Sequence, residues 1–166
     1  MAGVPRTMAG DHAGMNTSHT PHIPPPVGRP VRHVLLALDL GASSVRAGDE
    51  AIDLAADQGA ILLILSVVPP SDLPRLRHDD LGSQRQRRDR AAREIVARAA
   101  AKGVTATSVI WYGEPAAAIL DAAWSERADV VVLGSRKRTD LGRLLLGSVS
   151  SHVASEANCP VVVMPA

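Results

Sequence analysis

"LGSRKRTDLGRLLLGSVS", residues 133–150, decides how the rest of the chain is read. Gly134 leaves an apolar run, a basic and polar loop follows, and Gly147-Ser148 opens a segment with helical spacing. Glycine lets a ligand approach the backbone closely. Free N–H groups and the dipole at a helix N-terminus favour phosphate. The loop is not a Walker loop, because no Gly-Lys-Ser/Thr follows at the required spacing. Lys137 and Arg138 stand where more glycine would improve the backbone fit. Spacing alone therefore leaves two readings open, a nucleotide-holding loop or only a loop.

Working outward, buried strands alternate with amphipathic helices. Upstream, "VRHVLLALD" (31–39) is a continuous apolar run, as expected of a strand buried on both faces. "LGASS" is turn-like, and Ser43 or Ser44 can cap the next helix. Ala47, Ala51, Leu54 and Ala55 recur at helical spacing, and Gly59 stops that helix. "AILLILSVV" (60–68) is a second strand, ended by Pro69-Pro70. Residues 69 to about 83 read as a loop. The arginine-rich helix 85–102 follows, with Ala92, Ile95, Val96 and Ala99 inward. "VTATSVIWY" (104–112) reads as a strand nearer an edge, and Pro115 starts a helix where a missing N–H costs nothing. "DVVVLG" (129–134), a helix from about Ser148 to Ala157, and "PVVVMP" (160–165) complete the pattern. Such alternation predicts an open, mostly parallel five-stranded α/β sheet with helices on both faces. Ligands then bind beyond the C-terminal strand ends, where strand order reverses.

Composition narrows the function. With no Phe, one Tyr and two Trp, stacking of nucleic-acid bases on aromatic side chains is nearly excluded. A formal net charge of +1 gives no general pull towards nucleic acid. The arginines of 85–102 are interleaved with Asp89 and Glu94, so that face reads as solvated rather than as a nucleic-acid surface. No apolar run approaches a membrane span, and no signal peptide opens the chain; the expected compartment is the cytoplasm. The single Cys159 reads as a small buried residue in reducing surroundings. Residues 1–30 hold six of the twelve prolines and three of the six histidines with almost no apolar periodicity, the mark of a disordered tail. His12, His19 and His22 lie there at irregular spacing, so no metal site is expected.

Asp39, at the end of the first strand, has two readings. It can accept hydrogen bonds from a ligand, or it can cap a turn. A receiver-domain acid is excluded, because neither an acidic pair after this strand nor an acceptor aspartate after the third is present. The Asp-x-Gly here resembles that of actin-like sugar kinases, but those enzymes are far longer and place it in a β-hairpin, whereas a helical pattern follows here.

The stretch from Val131 to Pro160 resembles the universal stress protein signature: Gly, two residues, Gly, nine residues, then Gly-Ser or Gly-Thr, ending in a Cys-Pro-Val strand. "GEPAAAIL", the small residues Ser44, Ala47, Ala51 and Ala55, and Asp39 at the end of the first strand agree. The resemblance covers about residues 31–166. In the nucleotide-binding branch of that family, it implies a Rossmann-like fold of the adenine nucleotide alpha hydrolase type, with ATP, accompanied by Mg, at the strand ends. Ala37, Asp39 and Val67 would line the adenosine side, and Leu133 and Gly134 would continue the pocket. Gly147, Ser148 and Val149 would meet the phosphates. Lys137 occupies the second glycine of the signature, where it either blocks phosphate or binds it by charge. Leu40 and Gly41 replace the common Gly-Ser after the aspartate.

These features point to an adenine-nucleotide-binding regulatory module of the stress response. No catalytic cluster converges on the strand ends, so any ATP hydrolysis is expected to be slow and incidental. The last strand, 160–165, is expected at a sheet edge and predicts a homodimer through it. Asp39 is expected to hold adenosine rather than the fold. The alternative is a nucleotide-free dimeric interaction protein of the same fold.

Overall fold

The computed structural model describes residues 30–41, 43–70, 78–135, 137–138, 144–145 and 147–165. The expected tail, 1–30, lies almost wholly outside them. In chain order the elements are β1 (His33–Leu38), α1 (Ser43–Gln58), β2 (Ile61–Val68), α2 (His78–Ala101), β3 (Ala106–Tyr112) and α3 (Pro115–Ser125). They continue with β4 (Val130–Ser135), β5 (Lys137–Arg138), β6 (Leu144–Leu145), α4 (Ser148–Glu156) and β7 (Val161–Pro165). The main sheet has the order β3-β2-β1-β4-β7, and all its pairings are parallel.

Side-chain alternation along each strand feeds two cores. Val34, Leu36 and Leu38 of β1 join Leu62, Ile64 and Val132 beneath α1 and α2. Leu35 and Ala37 join Leu65, Val67, Val131 and Leu133 beneath α3 and α4. The strands read as unbroken apolar runs because helices cover both faces. Small residues set the helix approach: Ala47, Ala51 and Ala55 of α1 are fully buried, and a Cβ on Gly48 would come within 3.3 Å of Ile95 Cδ1 on α2. Gly59 ends α1 in the left-handed region, at φ 64°, where glycine has no Cβ to clash.

Three local expectations need correction. Helix α2 begins at His78, not near residue 85, so the loop after β2 is shorter than 69–83. Gly82 lies within the helix, but one glycine costs a helix only about 1 kcal/mol, and the packed face of Ala92, Ile95 and Ala99 outweighs it. The stretch after Gly134 is more than a loop, since Lys137 and Arg138 pair antiparallel with Leu145 and Leu144. Helix α1 starts at Ser43, which puts Ser44 inside its first turn rather than at its cap.

The basic face of α2 is partly used within the fold. Arg98 pairs with Asp49 and Lys102 with Asp53, both on α1, and Arg93 pairs with Asp89 four residues before it. Such exposed pairs stabilise little. Strand β3 forms one edge of the sheet and β7 the other. Val161, Val162, Val163 and Met164 of β7 are half-buried.

Candidate functional site

The order β3-β2-β1-β4-β7 reverses direction between β1 and β4, and strand ends splay apart at such a point. A cavity of about 360 Å³ opens there, within the range of small-molecule sites. Ala37, Leu65, Val67 and Leu133 supply an apolar floor, with Ile119 of α3 beside them. Gly134, Gly147, Ser148 and Val149 also border it. Eight of the nine residues nominated from the sequence thus converge on one cavity. The ninth, Lys137, lies in β5; its expected phosphate contact falls outside what the structure describes.

The two ends of the cavity differ in chemistry. At the α4 end the helix is preceded by Gly147, with φ −71° and ψ 170°. Glycine brings no side chain of its own to cap the helix, and no side-chain cap hydrogen bond forms among the described residues, so the first turn of α4, which borders the cavity, keeps N–H groups without intrahelical partners. Among the described residues, a Cβ added at Gly147 would meet only Ser150 Oγ, at 3.7 Å. Packing against the described residues therefore does not demand glycine there.

At the β1 end Asp39 is tied into its loop. Its Oδ1 accepts the Gly41 N–H at 2.7 Å and the Ser44 hydroxyl, while the Asp39 N–H donates to Ser44 Oγ at 3.2 Å. The loop is tight: Leu40 takes φ 67°, and a Cβ on Gly41 would sit 3.0 Å from Asp39 Oδ1. A left-handed non-glycine residue costs roughly 1–2 kcal/mol, which the carboxylate bonds on either side help to offset. The expectation that Asp39 serves adenosine rather than the fold is therefore revised. The carboxylate braces the turn and also borders the cavity.

Two polar residues on this wall escaped the sequence reading. Arg88 is only 6% exposed and borders the cavity. Its Nη1 donates to Ser66 Oγ at 3.1 Å, and Ser66 donates to the Leu38 carbonyl at 2.9 Å. Both left a trace in the sequence. Arg88 precedes Ala92 by four residues and Ile95 by seven, on the stripe that faces the core. Ser66 is a lone hydroxyl in an apolar strand.

Elsewhere, burial and the nearby Asp129 charge push the Cys159 thiol up to about 11, so it is protonated at neutral pH. Among the described residues no group of three His, Cys, Asp or Glu side chains is placed to hold a metal. None of the described helices is long and apolar enough to cross a membrane.

An open parallel α/β sheet with a cleft at its reversal point and a glycine-led helix at one end defines a class of small-ligand-binding domain. Within that class, residues 30–165 match the model of the Universal stress protein family, and the chain belongs to that family. It is 32% identical to the universal stress protein YxiE of Bacillus subtilis over 143 residues, 79% of this chain and 97% of that protein. Among solved structures, UspA from Lactobacillus plantarum superposes with a TM-score of 0.71 at 26% identity, covering 82% of this chain and 99% of the other. A universal stress protein solved in complex with cAMP superposes with a TM-score of 0.62 at 29% identity, covering 82% and 98%.

Proposed function

We propose that this protein binds an adenine nucleotide, ATP with Mg²⁺ on its phosphates, in the cleft between β1 and β4, and acts as a regulatory stress-response module rather than an enzyme. The observation that carries the reading is the pairing, in one cavity, of an apolar slot with the N-terminus of α4. The slot of Ala37, Val67 and Leu133 suits a flat base. The N–H groups around Gly147, Ser148 and Val149 suit phosphate. The relative in complex with cAMP supports an adenine ligand. On this reading any hydrolysis is slow and incidental.

The protein is further proposed to be cytoplasmic, in keeping with one buried, protonated cysteine, and to form a homodimer through residues 160–165. Strand β7 ends the sheet, and a strand edge of Val, Val, Val and Met with no partner among the described residues invites a second copy. Light scattering that gives a monomer mass at micromolar concentration rejects the dimer.

Calorimetric titration of the full chain with ATP, together with mass spectrometry of ligand released from fresh protein, tests the nucleotide reading. Saturable binding with one site per chain is the expected result. No heat up to millimolar ATP and no released nucleotide would overturn it. Lys137, at the signature's second glycine, favours the nucleotide-free interaction protein as second reading. If ATP binds Lys137→Gly but not the natural protein, that second reading is correct.

A further inference from the structure

Helices α1, α2 and α3 close on the same turn, and only the third departs from its usual chemistry. The Ala60 N–H donates to the Ala55 carbonyl at 2.8 Å, Val104 to Ala99 at 2.9 Å and Ala128 to Ala123 at 2.9 Å. The residue before each donor is left-handed: Gly59 at φ 64°, Gly103 at φ 74° and Arg127 at φ 52°. Glycine is the usual residue there because a Cβ is strained in that conformation. At the end of α3 the chain accepts this strain and places an arginine. A cation near a helix C-terminus complements the dipole, but a cation elsewhere in the last turn would do so without a left-handed φ.

Arg127 lines a cavity of about 290 Å³ together with Pro30, Arg32, His33 and Asp129. It opens where β1 and β4 begin, and there the Asp129 N–H donates to the His33 carbonyl at 2.9 Å. Strand β1 runs six residues from His33, about 20 Å at roughly 3.3 Å per residue. The cavity is therefore at the opposite end of the sheet from Asp39. Its charge is unbalanced. Asp129 Oδ2 accepts the N–H groups of Arg32 at 2.8 Å and His33 at 3.0 Å, so the main chain engages this carboxylate. Among the described residues neither Arg32 nor Arg127 forms an ion pair, whereas Arg93, Arg98 and Lys102 all do. Two guanidinium groups and an imidazole thus share the cavity with a single carboxylate.

We propose that this cavity binds a small oxyanion between Arg32 and Arg127: a phosphate group, free or carried on a small metabolite. The planar guanidinium fork matches a pair of phosphate oxygens, and such charge-assisted bonds are the strong ones. The His33 ring offers a further N–H donor. The last carbonyls of α3 give this end of the helix a negative partial charge. Side-chain cations must therefore hold the anion here, in contrast to the N–H groups at the mouth of α4. Asp129 is a positioning residue, since its carboxylate fixes the main chain that carries Arg32 and His33.

The test follows the backbone amides of the ¹⁵N-labelled full chain by NMR while inorganic phosphate or glycerol phosphate is added at constant ionic strength. A parallel series contains saturating ATP. Saturable shifts at Arg32, His33, Arg127 and Asp129, unaltered by ATP, are the expected result. Arg127→Gly should weaken this binding about ten-fold or more, the loss typical of one charge-assisted hydrogen bond. Glycine suits φ 52°, so this variant should melt no lower than the natural protein, and its lost binding is then not a lost fold. Arg32→Gln should weaken binding to a similar degree. Tighter binding of glycerol phosphate supports a phosphorylated metabolite as the ligand, and tighter binding of inorganic phosphate supports the free ion. No saturable shift at these four amides with either compound overturns the proposal. Shifts that Arg127→Gly leaves unchanged overturn it too, and Arg127 then only complements the α3 dipole. Shifts confined to residues 147–149 place phosphate at α4 alone and also overturn it. The site stands or falls separately from the nucleotide reading, because ATP is read at the other end of the sheet.

Discussion

Asp39 carries the most informative substitution, because Asp39→Ala and Asp39→Asn should separate the fold from the ligand. In the ligand-free protein Oδ1 accepts from the Gly41 N–H at 2.7 Å and from the Ser44 hydroxyl. Hydrogen bonds to a charged group contribute about 1.5–3 kcal/mol each. The loop is only half-buried, so water recovers part of this, and Asp39→Ala is expected to destabilise by about 2 kcal/mol. At roughly 3–4 °C per kcal/mol for a domain of this size, its ligand-free Tm should fall by about 6–8 °C. Asn keeps an oxygen acceptor of the same reach. Asp39→Asn should therefore stay within about 1 kcal/mol of the natural protein, yet lose the charge offered to a base amine. Both variants should bind ATP about ten-fold or more weakly. Thermal melts followed by circular dichroism, with and without ATP, read both effects. A ligand-free Asp39→Ala that melts within 2 °C of the natural protein would refute the loop-bracing role deduced from these bonds. An Asp39→Asn that melts normally and binds ATP normally would refute the ligand role.

Gly147→Val should abolish ATP binding by filling the mouth of α4 while changing stability by less than about 1 kcal/mol, since φ −71° suits any residue and, among the described residues, a Cβ there meets only Ser150 Oγ; titration and melting together check this. If Lys137 binds phosphate by charge, affinity should fall steeply with added salt, and Lys137→Ala should weaken binding whereas Lys137→Gly roughly preserves it. Gly82→Ala should stabilise by about 1 kcal/mol, measured by urea denaturation, because Gly82 lies inside α2 and an added Cβ meets nothing within 4 Å among the described residues. Cys159 should resist a thiol reagent in the native protein at neutral pH and react on unfolding. Its raised pKa also means that the unfolded chain loses the proton first. Stability from this group is therefore intact below about pH 9 and declines as pH climbs to about 11, a decline that Cys159→Ala should lack.

Strand and helix order were legible because they follow from periodicity, which is local. Apolar runs such as Val34–Leu38 and Leu62–Val68, the latter interrupted only by Ser66, are what strands covered on both faces require. The small residues Ala47, Ala51 and Ala55 can only mark a helix packed close to its neighbours. Gly134 and Gly147-Ser148 announced a strand end and a helix start on one side of a cleft, and the structure brings both to the same cavity. The start of α2 was not legible, because Gly82 is a helix-breaking signal that packing overrules only once the rest of the helix has docked. Nor was the double service of Asp39, which depends on Leu40 accepting a left-handed φ so that the Gly41 N–H and the Ser44 hydroxyl can converge on one carboxylate oxygen.

Arg88 marks the boundary most clearly. In the sequence it is one arginine among several in a helix that reads as solvated, and most of its neighbours are indeed exposed. Which arginine turns inward is set by the rotation of α2 against the sheet, and that rotation is fixed by Ala92, Ile95 and Ala99 meeting strands from distant parts of the chain. Periodicity decides which residues share a face. Only the tertiary contacts decide what that face meets, and so which charge ends up beside the cleft.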